Sequence, residues 1–431
     1  MTRTASMTVS LPKLTPELSD VASDDPSVEE KVLQERAFVD MPGVHGLYVH
    51  VPFCVHKCGY CDFYSLAEPS DLATDRQQVF VETMLKEIHR RAAQVRLEPT
   101  TVFVGGGTPS LLRPDLWQLL LDDLAELGVL DRIVEFTVEA NPEIVTDDLL
   151  ALLAARGVNR ISLGAQSFST ELLQVLERSH DPVSVANAVT RIRRAGIELV
   201  NLDLIFGIPG QTLKMVGDDL DAALALEPDH LSYYSLIYEP NTAMTQHLRA
   251  GRIQRVDEQI ERDMFAMIID CLAEAGFEHY EISNWAKAGG PPGANDADES
   301  TRTKTVCLHN LQYWTNANWL GVGPSAASHI NGYRWKNAPH IGQYLGSLSP
   351  PIADYEHLPP ARYLGEVLML RLRLLEGVPC DWLDANLPAD DPRWQTIEHL
   401  VQIGMLKRTH SHVRLTRAGL FIADEVVGRL L

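Results

Sequence analysis

Apolar positions along the first half of the chain alternate between two periods. Short runs rich in β-branched and aromatic residues fall at Leu47–Val51, Thr101–Val104, Ile133–Glu139, Arg160–Leu163, Leu199–Ile205 and His230–Leu236. Such runs, bounded by Gly, Pro or Asn, read as strands. Between them lie stretches with apolar residues at three- and four-residue steps: Asp75–Val95, Leu116–Leu127, Asp147–Arg156, Thr170–Glu177 with Pro182–Ala195, and Leu213–Ala225. That step lines one face of a helix. Gly157 and Gly196 follow two of these stretches, where a helix ends by turning left-handed. Strands alternating with helices predict a parallel sheet with crossover helices, the α/β class. Six such units predict a partial (β/α)6 barrel, open on one side to admit a large substrate.

The pattern loosens after residue 236. Gln259–Ala275 reads as a helix and Tyr280–Trp285 as a short extended segment. Ala288–Thr305 is rich in Gly, Pro, Asn and Asp and predicts a flexible insertion. From residue 361 the pattern is a helix (Arg362–Leu374), a helix near Trp394–Gly404, two short strands around Ser411 and a last helix after Thr416. This predicts a small α+β domain resembling a winged helix. Residues 1–45 are rich in Ser, Thr, Asp, Glu and Pro and read as a disordered tail. The expected division is tail 1–45, barrel core 46–285, insertion 286–306, connecting region 307–360 and C-terminal domain 361–431.

Composition narrows the function. Among 431 residues, 37 basic against 58 acidic side chains leave a net charge of −21, which opposes nucleic-acid phosphates. No apolar run approaches the ~20 residues that span a bilayer, and the N-terminus lacks the apolar core of a secretion signal. Six cysteines, three of them widely spaced, are no disulfide framework. These features predict a cytoplasmic protein without nucleic-acid partners.

The other three cysteines carry the chemistry. Cys54, Cys58 and Cys61 stand in a C-x3-C-x2-C arrangement directly after the first strand. Zinc sites and iron–sulfur clusters normally take four protein ligands. Three thiolates on a 4Fe–4S cluster leave one iron open to another ligand. Further polar residues stand at or near strand ends: Gly105-Gly106-Gly107-Thr108, Glu139, Gln166, Arg178 and Asp203. Taken singly, each reads more readily as structural. An unpaired Glu139 in its apolar run would be costly, and Arg178 could pair with a carboxylate. Tyr60 between two cysteines could stack on a ring or simply pack the loop. Late in the chain, His309, Tyr313 and Trp314 stand together; imidazole is a common heme ligand, and the rings offer flat faces for a porphyrin. From the residues alone, His309 reads equally as a ligand and as a packed side chain. Cys307 is a weaker candidate; His50, His56 and His329 read as structural.

The cysteine spacing closely resembles that of the radical S-adenosylmethionine (SAM) superfamily. Tyr48-Val-His-Val-Pro-Phe-Cys54, Gly105-Gly-Gly-Thr-Pro-Ser110, Glu139-Ala-Asn-Pro142, Asn159–Phe168 and Asn201–Gly210 resemble the HemN/HemW family from residue 46 to the end. The resemblance implies a radical SAM barrel in which Cys54, Cys58 and Cys61 hold a 4Fe–4S cluster. SAM would then meet Tyr48, Tyr60, Gly106, Gly107, Thr108, Glu139, Gln166, Arg178 and Asp203. The oxidase branch, HemN, carries a fourth Cys two residues after the third; here that place is Phe63. His309-Asn-Leu-Gln-Tyr-Trp314 instead is similar to a motif of the heme-chaperone branch, HemW, as are Tyr280–Trp285 and Leu370–Val378. This implies heme at His309, Tyr313 and Trp314, delivered to acceptor hemoproteins, membrane respiratory enzymes among the candidates. SAM and cluster would serve transfer or homodimer formation rather than turnover, with SAM cleavage left open. The alternatives are an oxygen-independent coproporphyrinogen III dehydrogenase, against which Phe63 counts, and a tRNA-modifying enzyme, against which the acidic charge counts.

Overall fold

The computed structural model describes residues 27–67, 73–288, 305–345, 347 and 349–431. Six parallel strands form its centre: β1 (Gly43–Val51), β2 (Arg96–Gly106), β3 (Glu135–Ala140), β4 (Arg160–Gln166), β5 (Leu199–Phe206) and β6 (His230–Ser235). They pair in chain order. Helices α1 (Ala73–Ala92), α2 (Pro114–Glu126), α3 (Asp147–Ala155), α4 (Thr170–Val175), α5 (Pro182–Arg194) and α6 (Leu213–Ala225) make the crossovers. Thr146, Ser169, Asp181 and Thr212 each accept an amide hydrogen bond at the N-terminus of α3, α4, α5 and α6, satisfying donors the helix cannot.

Side chains alternate across a strand, and here the two faces differ in chemistry. Val102, Val104, Phe136, Val138, Ile161, Leu163, Val200, Leu202 and Leu231 join Trp117, Leu120, Leu121, Leu150 and Ile192 in the main core. The opposite face carries Tyr48, Glu135, Glu139, Arg160, Ser162, Asn201, Asp203 and His230. The register sets Glu139 beside Ser162, Ser162 beside Asn201, and Asn201 beside His230. The barrel interior is therefore polar.

The sheet runs beyond the expected six strands. β7 (Phe277–Glu281) and β8 (Asn284–Lys287) add antiparallel strands beyond β6. At the other edge β9 (Trp319–Val322) lies parallel to β1, followed by an antiparallel meander of β10 (Ala327–Ile330), β11 (Tyr333–Asn337) and β12 (Ile352–His357). Among the described residues these twelve strands form one sheet. Residues 307–360, expected as a connecting region, thus supply four strands.

The expected tail also needs correction. Residues 27–45 are ordered and packed: Leu33, Ala37 and Phe38 are buried, and the edge of Phe38 meets Trp335 at 5.7 Å. The Glu30 carboxylate takes hydrogen bonds from Arg90 (2.6 Å) and Arg91 (2.8 Å). Three apolar side chains and a paired acid suffice to fix a segment too short to show a helical period. Residues 1–26 and most of the expected insertion, 289–304, lie outside the described residues.

Helices α7 (Ala243–Arg249) and α8 (Glu258–Glu274) follow β6, α9 (Leu308–Trp314) precedes β9, and α10 (Pro360–Arg371) opens the C-terminal module. As expected, that module is a small α+β unit. Its core is Leu368, Leu372, Val378, Leu383, Leu400, Val413 and Val426. Its antiparallel sheet joins β13 (Val378–Pro379), β14 (Leu406–Arg408) and β15 (His412–Leu415). Backbone bonds stitch it to the barrel, from Leu375 N to Tyr280 O (3.0 Å) and from Ile282 N to Arg373 O (3.2 Å). Among the described residues no helix is long and apolar enough to cross a membrane.

Candidate functional site

The cysteine loop leaves the C-terminal end of β1 and is tied down on several sides. Gly107 N donates to Val51 O (2.8 Å), Thr108 N to Phe53 O (2.7 Å), Leu66 N to Pro52 O (2.7 Å) and Met244 N to Gly59 O (2.8 Å). His50 adds a side-chain tether. Its Nε2 lies 2.8 Å from the Tyr64 carbonyl. A carbonyl only accepts, so Nε2 carries the proton and Nδ1 accepts from the Tyr48 hydroxyl at 3.0 Å. Burial pushes His50 down to about 4, which keeps this tautomer neutral.

The glycine run has a job within the protein. A Cβ on Gly106, whose φ is +108°, would stand 2.5 Å from the His50 ring; one on Gly107 would stand 2.6 Å from Phe53 O. The close approach at this end of β2 is therefore made by the cysteine loop itself. Gly105 would likewise meet the Glu139 carboxyl at 2.8 Å.

All three loop cysteines are free thiols. Thr108 Oγ1 donates to Cys54 Sγ and Arg178 Nη1 to Cys58 Sγ, each at 3.6 Å. Burial raises Cys54 and Cys61, the latter to about 11, and the sulfurs raise one another. Such a trio ionises readily only around a positive centre. Three thiols are one ligand short of a structural zinc site and match a cluster that keeps one iron open, so the donor set fits a cluster better than a single ion.

The interior beside the loop is acidic. Glu139 accepts from Gly106 N at 3.0 Å. Burial first, and the Asp203 carboxylate second, raise it to about 7. Asp203 is also raised by burial, against hydrogen bonds from Ser162 (2.7 Å) and Asn201 (2.8 Å). Arg178 donates to Gly164 O (3.0 Å) and is held up by Tyr60, Cys58 and Cys54 despite burial. Gln166 ends β4 in a left-handed conformation, φ +63°, next to a bulge at Gly164. Such a backbone at a non-glycine residue costs of order 1 kcal/mol or more. Its amide packs over Gly164 beside Arg178. Tyr60 packs against a small apolar cluster that includes Leu172, Ile205, Leu236 and Met244. An electrostatic chain thus runs from Tyr48 to Glu139, from Glu139 to Asp203, and from Asp203 to Tyr60 and Arg178.

The segment expected to meet heme lies at the other end of the barrel. Helix α9 closes the floor beneath the starts of β2, β3 and β4. The Glu135 carboxylate accepts from Leu308 N and His309 N, both at 2.9 Å. Arg160 pairs with Glu135 (3.2 Å) and donates to Thr305 O (3.0 Å) and Val306 O (2.7 Å). His309 is 1% exposed. Its Nδ1 lies 2.7 Å from Thr101 Oγ1, its Nε2 2.8 Å from the Tyr313 hydroxyl, and its ring stacks on Phe103 at 5.3 Å. Burial lowers it to about 3, so it is neutral. In this conformation neither ring nitrogen is free for an iron. Tyr313 reaches upward, and its phenol feels Glu139. Trp314 instead points to the C-terminal module, where the Arg373 guanidinium lies 4.6 Å from its ring.

Sequence reasoning missed Glu135, Arg160 and Thr101, which seat α9, and Asn201 and Ser232, which hold Asp203. It also read His50 only as structural. The available signal was the alternation of polar residues within β3 to β6.

A sequence model described as the Radical SAM superfamily matches residues 48–223, and one described as the HemN C-terminal domain matches residues 358–422. Proteins named heme chaperone HemW are similar over most of the chain. That of Mycobacterium tuberculosis is 35% identical over 410 residues, covering 92% of this chain and 99% of its own. That of Lactococcus lactis is 32% identical, covering 89% and 96%. That of Escherichia coli K12 is 38% identical, covering 65% and 68%. Among solved structures, coproporphyrinogen III oxidase (HemN) from Escherichia coli superposes with a TM-score of 0.75 over 95% of this chain and 94% of that one. At 20% identity this likeness shows the fold alone.

Proposed function

The chain belongs to the HemW family of radical SAM proteins, and from that premise we propose that it binds heme and passes it to acceptor hemoproteins. Cys54, Cys58 and Cys61 would hold a 4Fe–4S cluster, which when bound supplies an open iron and a reducing electron to SAM. The chain's own residues have three tasks. The tethers from His50, Gly107 and Thr108 fix the loop that presents the thiols. Glu139 and Asp203, two buried acids of which Asp203 raises Glu139, offer counter-charge to a ligand carrying an ammonium and a sulfonium. Arg178 stands beside Cys58 to receive a carboxylate.

The heme would meet His309, Tyr313 and Trp314. Burial keeps the imidazole neutral, the form that binds iron. Its hydrogen bonds to Thr101 and Tyr313 must open first, so ligation is coupled to withdrawal of α9 from the barrel floor. The observation that carries the reading is end-to-end similarity, 99% of a relative named heme chaperone. Phe63, 66% exposed on the loop, stands where the oxidase branch would have a further cysteine.

Heme titration of the wild type against His309→Ala tests the ligand. A lost or shifted Soret band is expected; identical spectra and affinity would remove His309 from the role. Anaerobic assay with coproporphyrinogen III tests the class, and robust protoporphyrinogen formation would make the protein an oxidase instead.

A further inference from the structure

Behind the cysteine loop, on the helical side of the sheet, one buried carboxylate gathers three segments. Glu87 stands on α1 and is 1% exposed. It accepts from Gly323 N (2.9 Å), the Asn337 amide (2.7 Å) and the Tyr344 hydroxyl (2.8 Å). The Asn337 amide also donates to Gly323 O (2.9 Å), so that glycine is held by both its N–H and its carbonyl. Burial raises Glu87; the Gly323 amide and the field of Arg91, one turn on, oppose the rise. A carboxylate placed this deep is costly unless its oxygens are bonded, and here donors from three separate segments bond them.

Two of those donors belong to segments that touch the loop of Cys54, Cys58 and Cys61, and the third binds one of the two. Gly323 follows β9 at φ +100°. A Cβ there would stand 2.5 Å from His50 O, so its backbone lies against the residue that tethers the loop. Tyr344 lies on the short helix Ile341–Leu345, whose first amide donates to the Tyr64 hydroxyl at 2.7 Å. The carbonyl of the same Tyr64 is the one held by His50 Nε2. The Tyr344 ring also lies 6.0 Å from Phe80, and Phe80 meets Phe53, the neighbour of Cys54, edge-on at 5.2 Å. The entry of the loop at His50 and Phe53 and its exit at Tyr64 are thus fastened to one frame.

We propose that Glu87 is a positioning residue for the iron–sulfur cluster: its carboxylate joins α1, the end of β9 and the Ile341–Leu345 helix into the support that sets both ends of the cysteine loop. The role rests on the cluster reading above. Glu87 acts through Gly323 and Tyr344 rather than on a cysteine. The carboxylate matters as well as the shape, because an amide in its place offers one oxygen and turns an NH2 group toward a donor.

The test uses the full chain. Without iron, amide exchange over residues 52–66 should run about 10- to 100-fold faster in Glu87→Gln and in Tyr344→Phe, the factor for one lost hydrogen bond to a charged group, while β5 and β6 stay protected. After anaerobic reconstitution, an iron chelator should strip the cluster from either variant faster by a similar factor. The electron paramagnetic resonance signal of the reduced cluster should broaden. Tyr64→Phe breaks the last bond of the route at the loop itself and should also speed stripping. Combined with Glu87→Gln it should fall short of the product of the two single effects, as coupled sites do. Stripping and loop exchange at wild-type rates in Glu87→Gln, with the cluster present in the wild type, would overturn the role and leave the cluster reading standing. So would exchange that accelerates equally in β5, β6 and the loop, with stripping rates that simply multiply, because that is the mark of a residue that only stabilises the fold. A wild type that holds no iron would overturn the cluster reading and this role with it.

Discussion

Glu135→Ala should release the floor of the barrel without touching the cysteine loop. Glu135 accepts the first two amides of α9 and pairs with Arg160, which is itself 1% exposed. The substitution leaves Arg160 a buried charge with only the carbonyls of Thr305 and Val306 as partners. Breaking a buried ion pair from one side costs about 3–5 kcal/mol. The two amides lose an acceptor as well, at about 1–3 kcal/mol each where water cannot replace it. These terms overlap, because an undocked α9 regains water for its amides, so about 3–5 kcal/mol is the expected total.

That energy falls on one short helix, so it should appear first as local opening. Amide hydrogen exchange over Leu308–Trp314 should accelerate about 100-fold or more, while peptides from β5 and β6 stay protected. If closure of α9 limits heme access, the same variant should take up heme faster, because the competent fraction rises. Glu135→Gln keeps the shape and one acceptor and should fall between the two. Unchanged exchange over α9 in Glu135→Ala would refute the argument. It would mean that the Phe103–His309 stack and the bonds to Thr101 and Tyr313 hold the helix alone.

Three further outcomes follow from the geometry. Gly106→Ala places a Cβ 2.5 Å from the His50 ring at φ +108°, so the loop must shift; iron bound after anaerobic reconstitution should drop well below that of the wild type. Replacing Cys54, Cys58 and Cys61 by Ser should abolish iron binding while circular dichroism stays that of a folded protein; retained iron would sink the cluster assignment. His50 and His309 are held at about 4 and about 3 in the folded chain, below the ~6.5 of an unfolded histidine. The unfolded chain therefore binds the extra protons, and stability should fall as pH drops below about 6.5, by up to about 1.4 kcal/mol per pH unit for each. Thermal melts between pH 7 and 5 check this, and a flat profile contradicts it.

The barrel was legible because the chain changes period with each element and because acids interrupt apolar strands. Glu139 and Asp203 stand out against the valines and leucines on either side, and such a residue in a buried strand has to face something polar. The floor was not legible in the same way. Glu135 and Arg160 sit at strand starts, where a charged residue reads as the boundary with solvent. Their partners are the amides and carbonyls at the start of α9, more than 140 residues away. Periodicity reports only neighbours, so nothing near Glu135 announces that partner. The edge strands β9 to β12 were hidden for a related reason: they are short, and the pairing of β9 with β1, from which the meander continues, gives them an order their own sequence does not.

His309 shows the limit most clearly. Its residue type left two readings open, ligand or packed side chain, and the structure places it in the second arrangement with both nitrogens engaged. The readings are compatible if α9 has two positions. A ligand stored against Phe103, neutral and hydrogen-bonded, cannot capture iron until something draws the helix out.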